Sequence, residues 1–438
     1  MPTRRQFLRA VSAAAVAAPY FWIPVASQTR KVRHASFGAG GQALSDINAF
    51  SKHPAFDLVA VADVDLCKLD RILDRFPNVR VYQDWRDLLK RESDRLDSVN
   101  VSTPDHMHAV QAIGAMRDGK HVYVQKPLAS TLRETRALTE YARKARVISQ
   151  MGIQVSSAEG QRYGEWLVRS GVVGKIREVH TFSNKSWGDD KPLPESVDQV
   201  PPTLDWDQWL GVAETRAFKR NVYHPGNWRK RVGFGTGTLG DMGCHIYSPP
   251  YRALKLASPV KVTAHGPAPS AESWAVRAKV HLVYPGTEFT AGPTVDMWWY
   301  DGGELPPEEL RGPIGTKMPE QGSLVVGTDG MLVLPHGGEP FTVPEAKLAS
   351  VQKPPFPLRD HYGEFLDAVL AGNLACSAGF DYSGPLTESV IIGNVAAYSP
   401  GETLDFDAAR LTFTNKPPAN AHLTRAYRKS WRAKGVTL

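Results

Sequence analysis

The chain has 438 residues, 42% of them hydrophobic and 22% charged, with a formal net charge of +7. That length exceeds one ordinary core and calls for two domains, while the composition carries no signature of disorder, low complexity or repetition. Lysine and arginine are scattered among acids rather than gathered with aromatics into a stripe, which argues against nucleic-acid binding. Cys67, Cys244 and Cys376 make no CxxC pair and an odd count, which argues against a disulfide framework or a cysteine-based zinc site.

Residues 1–30 read as a leader and linker. Thr3-Arg4-Arg5-Gln6-Phe7-Leu8-Arg9 precedes a small apolar run from Ala10 to Ala18, and a polar stretch follows from Gln28 to Lys31. The pattern resembles a twin-arginine signal, and without its three arginines the mature chain carries about +4. The apolar run is shorter than the roughly 20 residues of a permanent membrane span. Cleavage fits near Ala18 or Ala26, and no cysteine stands there to take a lipid anchor. The expectation is a protein exported, already folded, by the twin-arginine machinery to the periplasm or cell envelope, with no permanent membrane anchor.

Residues 31–155 read as a nucleotide-binding domain. A buried strand, Val32 to Phe37, runs into Gly38-Ala39-Gly40-Gly41-Gln42-Ala43 and then a helical Leu44 to Phe50. In this GxGxxA pattern Gly38 allows a tight turn, Gly40 admits a pyrophosphate to the backbone, and Ala43 permits close helix packing. Gly41 and Gln42 sit where the helix N-terminus offers free N–H groups to an anion. A second strand, Phe56 to Ala62, ends in Asp63, an acid placed to hold both ribose hydroxyls and to repel a 2'-phosphate, which favours NAD over NADP. Asp65 reads as the cap of a helix from Leu66 to Phe76.

Strands near Val79 to Tyr82, Ser98 to Ser102, His121 to Val124 and Val147 to Gly152 alternate with helical patterns at Trp85 to Arg91, His106 to Arg117 and Leu132 to Ala145. This implies an α/β fold with a parallel, doubly wound sheet whose ligand lies beyond the strand ends. Polar residues stand at those ends: Ser102, Thr103, Pro104 and His106 after one strand, Gln125 and Lys126 after the next, and Gln154 after the last. His106 either faces the cofactor or caps its helix; His108 reads as structural.

These pieces, with Thr103-Pro104-Asp105-His106-Met107-His108, Lys126-Pro127 and Gly240-Asp241-Met242-Gly243-Cys244-His245, resemble in order and spacing the Gfo/Idh/MocA family, named for glucose-fructose oxidoreductase and inositol dehydrogenase. The resemblance implies a Rossmann domain followed, over residues 156–438, by an α/β domain with a large, mostly antiparallel sheet. It also implies that Lys126, Asp241 and His245 are catalytic, and that oligomers form through the exposed sheet face. Where the family usually has Glu-Lys-Pro, this chain has Gln125 before Lys126, so a carboxylate is lost there.

The chemistry agrees with that assignment. Removing hydride from a carbinol requires a base for the hydroxyl proton and a cation or donor for the developing alkoxide, which a histidine and a lysine supply. Asp241 and His245 are four residues apart on one helix face, with Ser248 and Pro249 reading as the start of a second helix. His245 is the expected proton acceptor, tuned near neutral pH, and Asp241 its orienter or a substrate ligand. No third ligand stands at a spacing that suggests a metal.

Beyond residue 156, strands are expected at Ile176 to Phe182, Val260 to Ala264, Val276 to Val283, Glu288 to Trp299 and Gly322 to Leu334, and helices at Asp360 to Ala371 and Leu386 to Ala396. The irregular stretch from Ser186 to Arg231 reads as a binding loop. Asn184, Trp228 and Arg229 are the candidate sugar contacts, stacking on CH faces and bonding hydroxyls, although Trp228 could equally pin the loop, as Trp206 and Trp209 are expected to do. The leading expectation is an NAD-dependent oxidoreductase acting on a CH–OH group of a sugar or cyclitol. Export implies tightly held NAD and opens a redox-neutral alternative, glycoside hydrolysis or elimination, which some members of the resembled family perform. A carbohydrate-binding protein that keeps NAD only as a structural ligand is the third reading.

Overall fold

The computed structural model describes residues 30–349, 351–373 and 375–431; the leader, with its twin arginines, lies outside them. Six short strands form the first sheet: β1 (Val32–Phe37), β2 (Phe56–Ala62), β3 (Arg80–Tyr82), β4 (Ser98–Val101), β5 (His121–Gln125) and β6 (Ser149–Gly152). All pair in parallel in the order β3-β2-β1-β4-β5-β6. The order reverses beside β1, and a crevice opens at such a switch point.

Helices α1 (Gln42–Phe50), α2 (Asp70–Arg75), α3 (Trp85–Glu92), α4 (Asp105–Arg117) and α5 (Leu132–Ala145) make the crossovers. The start of α5 is fixed by a capping box: Thr131 Oγ1 accepts from the Glu134 N–H, and the Glu134 carboxylate accepts from the Thr131 N–H. The expected helix from Leu66 to Phe76 is instead a 3-10 turn, Leu66–Lys68, followed by α2. Asp65 does not cap it, because its carboxylate is taken by Thr203 Oγ1 at 2.8 Å and His224 Nε2 at 2.8 Å.

After α6 (Glu159–Ser170), the chain builds a nine-stranded sheet from β7 (Ile176–Ser183), β8 (Lys261–His265), β9 (Ala278–Pro285), β10 (Thr294–Asp301), β11 (Gln321–Gly327), β12 (Met331–Pro335), β13 (Phe341–Val343), β14 (Thr403–Asp407) and β15 (Thr412–Phe413). Its order is β13-β12-β11-β7-β10-β9-β8-β14-β15, and only the β7–β10 pair is parallel. The apolar run Gly322 to Leu334, expected as one strand, is thus the β11–β12 hairpin, folded at Thr328-Asp329-Gly330, where Gly330 has φ +154°.

Two long helices pack on this sheet, α7 (Gly237–Ala253) and, after α8 (His361–Ala371), α9 (Phe380–Ala396). Helix α7 does not stop at Ser248. It runs through Pro249 and Pro250, and the Ile246 carbonyl that Pro250 cannot reach accepts instead from Ser323 Oγ at 3.1 Å on β11. Helix α8 returns to the first sheet, where Phe365, Leu366 and Val369 pack with Val32, Phe50, Tyr123 and Ile148. Among the described residues no helix is long and apolar enough to cross a membrane.

Candidate active site

A cleft of about 430 Å³ runs from the glycine turn after β1, past the ends of β4 and β5, to Asp241 on α7. At its first end Gly38 has φ +101°, and a Cβ there would stand 2.9 Å from the Ser102 carbonyl oxygen and 3.0 Å from the Ala43 Cβ. Ala43 is therefore a packing residue behind the turn. Gly41, at φ +52°, leads into α1 with no side-chain cap, which leaves that helix N-terminus open to an anion. The Lys68 side chain lies across Gly40, where a Cβ would meet it at 3.1 to 3.2 Å.

Asp63 holds this turn to β2. Its carboxylate accepts from the Ala39 N–H at 2.8 Å and the Asp65 N–H at 2.9 Å, which leaves lone pairs for a diol. Burial pushes the Asp63 carboxyl up, and the two backbone donors oppose that rise. Turn, open helix N-terminus and cleft-lining acid fit the pyrophosphate and adenosine ribose of NAD.

The middle of the cleft is backed by a buried network centred on Asp46 of α1. Its carboxylate accepts from Ser102 Oγ at 2.7 Å, Gln42 Nε2 at 2.8 Å, Tyr362 OH at 2.8 Å, and Gln125 Nε2 at 3.0 and 3.1 Å. The acid missing at position 125 thus has a counterpart across the sheet, and Gln125 supplies the N–H that a glutamate there would lack. Burial pushes the Asp46 carboxyl up while its four donors pull it down. Gln154 donates to Tyr362 OH at 2.9 Å and stands behind this network rather than among the cleft-lining residues.

At the far end Lys126 Nζ donates to Asp241 Oδ1 at 2.7 Å and to the Asp241 carbonyl at 2.8 Å. Trp187 Nε1 donates to Asp241 Oδ2 at 2.8 Å, Arg229 Nε reaches Oδ1 at 3.4 Å, and Lys185 Nζ lies 3.8 Å from Oδ2. Burial would raise the Asp241 carboxyl, but Lys126, Arg229 and Lys185 together hold it well below the usual carboxylate range.

Asp241 does not orient His245. Its oxygens accept from Lys126, Trp187 and Arg229, and the buried Nδ1 of His245 has no hydrogen-bond partner among the described residues. The His245 ring meets His336 edge-on at 5.4 Å. Burial, with Lys126 and His336 beside it, pushes the imidazole well below its ordinary value, so it is uncharged rather than tuned near neutrality.

Other expected contacts fall elsewhere. His106 is buried against Trp209 and Phe234, its Nε2 3.1 Å from the Trp209 carbonyl, so it neither faces the cleft nor caps α4. His108 lines the cleft instead, held by the carbonyls of Pro127 at 2.7 Å and Thr103 at 2.8 Å. Asn184 is exposed, bonded to Glu320 at 2.8 Å, and not among the residues that line the cleft. Trp228 joins the buried aromatic cluster of the loop and also lines the cleft beside Arg229. Trp206 and Trp209 pack in that cluster, and Trp209 also reaches the cleft.

Sequence reasoning missed Trp187, Lys185 and His336; the one signal was a basic and aromatic pair directly after a strand. It also left His224 unassigned, although His224 bonds Asp65 and lines the cleft near Asp63. That contact belongs to a strap, residues 186–231, which crosses from the second sheet to the nucleotide end. Its bonds there include Leu66 N–H to the Thr203 carbonyl at 3.0 Å and Asp205 N–H to the Val64 carbonyl at 2.9 Å.

With a phosphate cradle after β1 and an acid after β2, the chain is a dinucleotide-binding protein of the doubly wound α/β class. It belongs to the Gfo/Idh/MocA oxidoreductase family: residues 32–153 match the family's NAD-binding Rossmann fold and residues 167–289 its C-terminal alpha/beta domain. Among curated relatives, it is 30% identical over 161 residues to a glycosyl hydrolase family 109 protein of Shewanella baltica, which covers 35% of each chain. The chain thus matches about a third of that relative's length. Among solved structures, the aldose-aldose oxidoreductase of Caulobacter crescentus, complexed with glycerol, aligns over 86% of this chain and 100% of its own, with a TM-score of 0.57 and 20% identity. The WlbA dehydrogenase of Bordetella pertussis, in complex with NADH and UDP-GlcNAcA, aligns over 86% and 99%, with a TM-score of 0.60 and 15% identity. At these identities the structures speak for the fold.

Proposed function

We propose that this protein is an NAD-dependent oxidoreductase acting on a CH–OH group of a sugar or cyclitol. The observation that carries the reading is the Lys126–Asp241 pair, which ends the cleft that begins at the glycine turn. Bound NAD supplies the hydride acceptor. Lys126, oriented by two bonds to Asp241, places its remaining N–H toward a substrate oxygen and stabilises the alkoxide as it forms. Uncharged His245 has one ring nitrogen with a lone pair and serves through it as the group that takes the hydroxyl proton. Asp241 holds Lys126 in place, and Trp187 fixes the second oxygen of Asp241.

The strap supports tight retention of NAD, because His224, Pro225 and Gly226 line the cleft opposite the glycine turn. Retention suits an exported enzyme, and we read export from the twin arginines, small apolar run and candidate cleavage sites of the leader. We further propose that copies associate through the sheet face turned away from α7 and α9, where Trp298 stacks on His281 at 4.1 Å.

The test is to purify the mature chain without added nucleotide, denature it and identify what it releases by mass. Stoichiometric NAD or NADH supports the reading; an empty protein that binds NAD weakly refutes retention. The partial match to glycosyl hydrolase family 109 gives the redox-neutral alternative its own discriminator. A deuterium placed on the oxidised carbon returns to product in a closed cycle, whereas a net dehydrogenase accumulates deuterated NADH.

A further inference from the structure

Three cations, Lys126, Lys185 and Arg229, converge on one carboxylate at the substrate end of the cleft. The next acid, Asp105, is buried and bonded to Thr236 Oγ1 at 2.6 Å, and burial pushes its carboxyl up. The site therefore carries an excess of positive charge. A developing alkoxide at Lys126 answers part of it.

Arg229 is the cation with most to spare. It gives Asp241 only its Nε, and neither terminal NH2 group has a hydrogen-bond partner among the described residues. The guanidinium lies over the ring of Trp228 at 4.3 Å and near that of Trp187 at 5.5 Å. Both rings are fixed: Trp228 is buried in the strap cluster, while Trp187 bonds Asp241 through Nε1 and Thr238 Oγ1 through its backbone N–H at 2.7 Å. The backbone of the turn is held as well, since a Cβ on Gly235 would stand 2.6 Å from the Arg229 Cα. A planar two-pronged donor, stacked in place with its prongs free, is the geometry that grips two coplanar oxygens with little ordering cost.

We propose that the substrate is a sugar acid, of the uronate or aldonate class, whose carboxylate is gripped by the two terminal NH2 groups of Arg229 while the hydroxyl to be oxidised lies at Lys126. This rests on the reading of the Lys126 end as the substrate end. The pyrophosphate belongs to the glycine turn at the other end, so Arg229 is not needed there. Lys185, with 43% of its side chain exposed, is the second cation facing the acid. A carboxylate is favoured over a phosphate because one fork and one shared lysine suit a single planar charge.

The experiment is calorimetric titration of the full chain, purified with its nucleotide, with D-glucuronate, D-galacturonate and D-gluconate. Each is compared with its neutral parent sugar or alditol, with glucose 6-phosphate in parallel and the uronamides as uncharged isosteric controls. At least one acid is expected to bind about tenfold or more tighter than its uncharged counterpart. Arg229→Gln is expected to erase that preference, costing the acid far more affinity than its neutral counterpart, with the nucleotide still bound. Arg229→Lys keeps the charge but not the fork, and recovers only part of the preference. The proposal is overturned if no acid outbinds its counterpart, if glucose 6-phosphate binds tightest, if Arg229→Gln keeps the preference, or if that variant sheds nucleotide instead. Acid preference without nucleotide reduction supports this inference and refutes the oxidoreductase reading; reduction by neutral sugars with no acid preference does the reverse.

Discussion

Replacing Gln125 with glutamate would set a second carboxylate against Asp46. The two side chains are 4% and 0% exposed, and the atom replaced is the N–H donor 3.0 and 3.1 Å from the Asp46 oxygens. Two charges about 3 Å apart repel by roughly 5 kcal/mol at an effective dielectric near 20. The pair escapes that cost by binding one proton, which restores an O–H donor in place of the lost N–H. Protonating a carboxyl of ordinary pKa near 4.3 at pH 7.5 costs about 4 kcal/mol, and that sets the expected loss of stability. Because the pair's folded-state pKa is raised above its unfolded value, stability is retained at low pH and lost as pH rises. The deficit should shrink by about 1.4 kcal/mol per unit, to about 1 kcal/mol at pH 5. Urea unfolding of Gln125→Glu and wild type, followed by tryptophan fluorescence at pH 5 and 7.5, measures it. Adding Asp46→Asn should recover much of the loss by supplying a donor to Glu. A Gln125→Glu protein as stable as wild type at pH 7.5, or equally weakened at both pH values, would refute the argument.

Lys126→Met removes the cation held by Asp241 and should lower kcat by about 100- to 1000-fold while leaving the nucleotide bound; a variant released empty would make Lys126 a retention residue instead. Since His245 is held uncharged, kcat/KM should be flat from about pH 6 to 8 and fall only at lower pH as the imidazole takes a proton, so an acid limb near pH 7 would contradict its burial. Gly38→Ala combines φ +101° with a Cβ 2.9 Å from a carbonyl oxygen, and should cost about 1 to 3 kcal/mol and empty the site, as unfolding and mass analysis would show.

The first half of the chain was legible because its signals are local. The strand-to-glycine turn, the acid after β2 and the alternation of short apolar strands with periodic helices each lie within one stretch, and parallel pairing follows from the crossovers themselves. Lys126 and Asp241 were legible as residue types at marked positions, and the β7 to β10 region as runs of strand-forming residues. The sequence alone could not decide what approaches from elsewhere in the chain. The Asp46–Gln125 exchange joins residues 79 positions apart, α8 reaches back to the first sheet, and Ile246 finds its substitute donor on β11. His106 and His108 differ by two positions on one helix, and only packing decided that the first meets Trp209 and the second the cleft. The charge state of His245, the stacking of Arg229 and the closure of the strap over the nucleotide end are likewise sums of burial and neighbours. Such sums depend on which surfaces meet in three dimensions, and no spacing along the chain encodes them locally.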